Sequence, residues 1–73
     1  MNADTIRDLL RRAPFEPFQI RLSNGDTFDV RHPEQVWIRP SRLFFGDPKK
    51  EEETLISLDH VNAIRMLHPA ESR

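Results

Sequence analysis

The chain contains no cysteine and no tyrosine, only two glycines, and no apolar run near the 18 residues of a membrane helix. Without cysteine, neither a disulfide framework nor a thiolate metal site can be built, although the redox compartment stays open. Gly25 and Gly46 show no phosphate-loop spacing, and both read as turn residues. Net charge is scarce too: 11 basic residues against 12 acidic ones leave −1. A nucleic-acid binder is favoured by a basic total or a clustered basic face, and the total here offers neither. The opening MNADTIRDLL lacks the basic-then-apolar order of a signal peptide. The expectation is a cytoplasmic protein that does not enter a membrane.

Seventy-three residues suffice for one domain, 1–73. Such a domain buries only about 60% of the surface its unfolded chain exposes, and a core of this size rarely supplies more than roughly 3–5 kcal/mol. A partner subunit is therefore one natural source of extra stability. What is present in excess is arginine, nine residues against two lysines. Arginine suits planar and stacked contacts at interfaces, while a GC-rich coding sequence produces the same skew.

Residues 4–13 predict a helix. Asp4 or Thr5 is in place to cap it, Ile6, Leu9, Leu10 and Ala13 form one apolar stripe, and Asp8 and Arg12 are an i,i+4 pair. Pro14 and Pro17 stop it. At about ten residues it is too short to persist without docking.

IRLSNGDTFDV (20–30) carries the strongest local signal, Asn-Gly between alternating apolar runs. A two-residue loop would set Leu22 opposite Thr27 and Arg21 opposite Phe28, mixing the faces. A three-residue loop, Ser23-Asn24-Gly25, pairs Ile20 with Phe28 and Phe18 with Val30, and puts Gly25 where a G1 bulge needs positive φ. That bulged hairpin is the expectation. HPE (32–34) interrupts the pattern, and QVWIRPSRLFFG reads as a second hairpin turning at Pro40-Ser41. There Ile38 faces Leu43, Val36 faces Phe45, and Trp37 faces Phe44 on the opposite side.

Strands are expected at about 17–23, 26–31, 35–39, 42–46, 54–58 and 63–67. DPKKEEE (47–53) reads as a charged loop, DHVN (59–62) as a turn, and 68–73 as a loose tail. The fold class is mainly β with one N-terminal helix: a small, strongly bent antiparallel sheet or an SH3/Sm-like barrel of five to six strands. Its dry side holds Phe18, Ile20, Phe28, Val30, Val36, Ile38, Leu43 and Phe45. Trp37 and Phe44 then need a second cover. The helix stripe is the first choice, and a homo-oligomer interface is the other, since aromatics concentrate at interface cores.

Catalytic and metal signatures are sparse. His32, His60 and His68 stand in turn-like contexts without metal-ligand spacing. Ser23, Ser41 and Ser57 have no nucleophile context. Asp26 and Asp29 flank a hairpin tip, and a chain this small is expected to lack the walls of a deep pocket. No catalytic residue, cofactor or metal is assigned. The basic candidates for an RNA contact are Arg11, Arg12, Arg39, Arg42 and His60.

The segment PFEPFQIRLSNGDTFDVRHPE is similar to a pattern, PFxPFxIxLxxGxxFxVxHPE, in short uncharacterised bacterial proteins, a resemblance that implies no activity. More remotely, LLRRAPFEPFQIRLSNGDTF resembles the start of Sm-like proteins of the Hfq type. Arg11-Arg12, Pro17, Ile20, Leu22, Asn24, Gly25 and Phe28 fall in that family's places, as do His60 and Ile64 in LDHVNAI. The resemblance implies a small barrel that binds RNA as a ring. Departures are Val30-Arg31-His32 where the family bends its second strand at a Gly, and Asp59 where it has a Lys beside the His. Two readings follow. The first is a non-catalytic interaction module whose partner is a protein or a second copy, with Trp37 and Phe44 as candidate interface. The second is an RNA-binding Sm-like ring.

Overall fold

The computed structural model describes residues 2–47 and 49–67. The expected tail 68–73, with His68, lies outside the described residues. The chain folds as mainly β with one helix, in the order α1 (Ala3–Arg11), β1 (Phe18–Leu22), β2 (Thr27–Val30), β3 (Val36–Ile38), β4 (Arg42–Asp47), β5 (Glu52–Ser57) and β6 (Val61–Met66). The strands form two antiparallel three-stranded sheets, ordered β2-β1-β6 and β3-β4-β5. They do not join into a closed barrel, so of the two expected architectures the small bent sheet holds, divided in two. Short 3₁₀ turns at Pro33–Gln35 and Leu58–His60 carry the chain from one sheet to the other.

The β1–β2 hairpin has the register that its turn chemistry dictates: Ile20 pairs with Phe28 and Phe18 with Val30. Gly25 takes φ +96°, its amide donates to the Leu22 carbonyl at 3.0 Å, and the Leu22 amide donates to the Asp26 carbonyl at 2.8 Å. Asn24 Oδ1 accepts from the Asp26 amide at 2.9 Å, locking the tip as an Asx turn. The β3–β4 register also follows the expected pairing, Val36–Phe45, Trp37–Phe44 and Ile38–Leu43. Its turn closes with the Arg39 amide donating to the Arg42 carbonyl at 2.8 Å.

Inner faces of both sheets share one core. Phe18, Ile20, Val30 and Leu43 are fully buried, joined by Val36, Phe45, Ile56, Leu58 and Val61. Phe28 and Phe45 meet across the sheets with ring centroids 5.3 Å apart. The helix contributes Ala3, Ile6 and Leu9 to this same core. Burying one such aliphatic side chain stabilises by about 1.5–3 kcal/mol, which is what a nine-residue helix requires in order to persist.

Several local expectations need correction. Asn2 caps the helix, its side chain accepting from the Asp4 amide at 2.8 Å, in place of Asp4 or Thr5. The helix ends at Arg11, so Ala13 leaves the stripe and is exposed while Ala3 joins it. The expected Asp8–Arg12 pair is replaced by Arg12–Glu16 at 2.9 Å and Arg7–Asp4 at 2.7 Å. Strand β5 begins at Glu52, because pairing Asp47 with Glu52 and Gly46 with Glu53 extends the ladder into the charged run. Likewise β6 begins at Val61, inside the expected turn.

Two side chains link the parts. Gln35 Oε1 accepts from the Arg31 and His32 amides at 2.8 and 2.9 Å, and its Nε2 donates to the Gly46 carbonyl at 3.3 Å. The end of β2 is thereby tied to β4. Ser23 donates through its amide (2.8 Å) and its hydroxyl (3.2 Å) to the His60 carbonyl, anchoring the first hairpin on the turn before β6.

Candidate functional site: an exposed apolar row

Alternation along β3, β4 and β5 sends Val36, Ile38, Leu43, Phe45 and Ile56 inward. It necessarily sends Trp37, Phe44 and Leu55 outward. The registers Trp37–Phe44 and Phe44–Leu55 align these three in one row across the sheet. Trp37 is 68% exposed, Leu55 58% and Phe44 37%, and they are the exposed large hydrophobics of the described residues. The expectation that the helix stripe covers Trp37 and Phe44 is thus wrong. Ala3, Ile6 and Leu9 go to the inner side, where the core between the sheets takes them.

The row is bracketed by charge. At the end of the sheet where β3 turns into β4, Arg42 sits opposite Ser57, and the Arg39 guanidinium lies 6.0 Å from the centre of the Trp37 ring. That distance is at the outer limit for a cation–π contact. At the other end Glu53 sits opposite Gly46. There a shallow cavity of about 380 Å³ is lined by Glu34, Gln35, Gly46, Asp47, Glu51, Glu52 and Glu53. Along the strand direction, the outer face therefore reads basic, apolar, acidic. Leu55 and Glu53 were missed by sequence reasoning; the alternation that found Trp37 would have found Leu55 once β5 was paired with β4.

The remaining basic candidates do not gather on this face as a group. Arg11 and Arg12 close the helix, and Arg12 is held by Glu16. His60 lies three residues past Ser57, the partner of Arg42, and its contribution to the fold is a backbone carbonyl.

A second concavity, about 530 Å³, has Phe28 and Phe45 in its walls together with the outward-facing Gln19, Thr27 and Asp29. Its volume falls in the range of small-molecule sites, but it is a half-open concavity and not a deep pocket. Some of its polar groups are engaged by neighbours. Asp29 accepts from Gln19 at 2.9 Å and from Arg31 at 3.4 Å, and Asp47 Oδ1 accepts from the Lys49 amide at 3.0 Å. Among the described residues, no three His, Asp or Glu side chains converge as metal ligands would, and no helix is long and apolar enough to cross a membrane. Comparison with protein-family models, curated proteins and solved structures returns no match.

Proposed function

We propose that this chain is a non-catalytic interaction module of the cytoplasm, which docks a protein on the outer face of the β3-β4-β5 sheet. The observation that carries the reading is the Trp37–Phe44–Leu55 row, large apolar side chains held rigidly in line yet contributing little to the core. Tryptophan and other aromatics are enriched at the energetic centres of protein interfaces, where polar groups form the surrounding rim. Arg39, Arg42 and Glu53 supply such a rim.

The test is a photoreactive amino acid placed at position 55 of the full-length chain, in the cell that makes it, with position 21 as control. Protein adducts formed from position 55 and absent from position 21 are expected. Equal or absent adducts at both positions would remove the reading.

A second reading is favoured by one observation. Arg39 and Arg42 flank two exposed aromatic rings, and stacking rings with adjacent arginines serve as platforms for single-stranded nucleic acid. An RNA-binding, Sm-like ring would use that corner. It predicts affinity that falls steeply with salt, as phosphate contacts release counterions. Against it stand the net charge of −1 and the acidic end of the same face.

A further inference from the structure

We infer that the partner seated on this face is a second copy of the chain, in a two-fold arrangement whose axis runs along the Trp37–Phe44–Leu55 row. The inference rests on that face being the docking surface and adds which partner it takes and in what orientation.

The argument is one of charge polarity. Face-to-face packing of identical sheets requires a two-fold axis lying between them, and the same patch then serves both copies. If the axis ran along the strands, Arg39 and Arg42 would face the arginines of the second copy, and the acidic ends would meet each other. Like charges so placed oppose association. An axis along the row reverses the strand direction instead. Each apolar side chain then meets its counterpart, and the basic end of one copy lies over the acidic end of the other.

The positions fit side chain by side chain. Arg42 and Gly46 share β4, one on each side of Phe44, so Arg42 of one copy comes over Gly46 of the other. Glycine leaves that space open: a Cβ there would meet only the Gln35 carbonyl, at 3.9 Å. Glu53 stands beside Gly46 on the neighbouring strand, within reach of the entering guanidinium. Arg39 comes in the same way over the Gln35 and Glu34 region. Within a single chain Arg42 and Glu53 are about 14 Å apart, four residues along the strand, so any coupling between them is made between copies. Three short strands offer less than the roughly 800 Å² per partner of a standard interface. The dimer is accordingly weak and concentration-dependent.

The experiment is sedimentation equilibrium over a wide concentration series, read together with the emission of Trp37, the sole tryptophan. Wild type is expected to pass from 8.6 kDa to twice that mass, with a blue shift as Trp37 leaves water. Arg42→Glu and Glu53→Arg, alone, each weaken self-association about tenfold or more. Mixed together they pair with each other more tightly than either pairs with itself, because every cross-copy charge contact is then attractive. Circular dichroism of each variant shows that it folds. A wild type that stays monomeric, or a mixture without that preference, overturns the inference. So does a short oligoribonucleotide that quenches Trp37 in place of the mass change. A monomer whose position 55 still crosslinks to another protein overturns only the choice of partner; one that crosslinks to nothing overturns the docking face as well.

Discussion

The two sheets have the same number of strands and the same antiparallel ladders, and they share one core, yet their outer faces differ in kind. On β2-β1-β6 the outward positions are Gln19, Arg21, Thr27, Asp29, Ala63 and Arg65, in register across the strands. Gln19 and Arg31 both donate to Asp29 there. This is the clean hydrophobic-in, polar-out alternation of an antiparallel sheet with one solvated side. On β3-β4-β5 the corresponding middle row is Trp37, Phe44 and Leu55. Folding demands only that inner faces be apolar, and the first sheet meets that demand with a polar exterior. The apolar exterior of the second is therefore surplus to what the shared core requires, and it is this surplus that the proposed docking addresses.

Changes to the inner faces are expected to break both sheets alike and give the largest effects. Phe18→Ala in the first sheet is expected to cost about 3–5 kcal/mol and Leu43→Ala in the second about 2–5 kcal/mol, comparable to the whole stability of a core this size. Chemical denaturation should find both unfolded or nearly so, with Ile20→Val, at about 0.5–1.5 kcal/mol, as the milder variant that stays folded. A second unfolding transition in Ile20→Val, which stays folded, would mean that the sheets fold separately.

Next in size is Gly25→Ala, which touches the first sheet alone. Nothing lies within 4 Å of the added Cβ, so the whole cost is that of holding φ at +96°, about 1–2 kcal/mol. In a domain this small, a thermal melt registers each kcal/mol as about 4–8 °C.

The smallest effects belong to the outer faces and sharpen the contrast most. Trp37→Ser removes one cross-strand pair and is expected to cost less than about 1 kcal/mol, close to Arg21→Ser on the opposite sheet. Association is expected to separate them: on the proposed dimer, Trp37→Ser should abolish concentration-dependent association, and Arg21→Ser should leave it unchanged. A large loss of stability on Trp37→Ser would show that the row is structural.

Much of this was legible in the sequence where the cause is local. SNG between alternating runs admits one loop length that keeps Phe18, Ile20, Phe28 and Val30 on one side, and the observed register is that one. VWIRPSRLFF similarly fixes which residues face each other. The helix start was less legible, because Asn2, Asp4 and Thr5 are all capable caps and the choice depends on which turn of the helix reaches the core. The start of β5 was hidden for a related reason: Glu52 and Glu53 read as loop by composition, and only a partner strand with free backbone groups draws them into a ladder.

The candidate site divides in the same way. Alternation and turn chemistry, which act over a few residues, determined that the second hairpin is apolar on both faces. Nothing local determines which face stays open, since Val36-Ile38-Leu43-Phe45 on one side and Trp37-Phe44 on the other both favour burial. Tertiary structure decided it. The space between the two sheets is a single volume that Ile6, Leu9, Leu43 and Phe45 fill together, and once the helix had gone there, no element of the described chain was left to cover the other side.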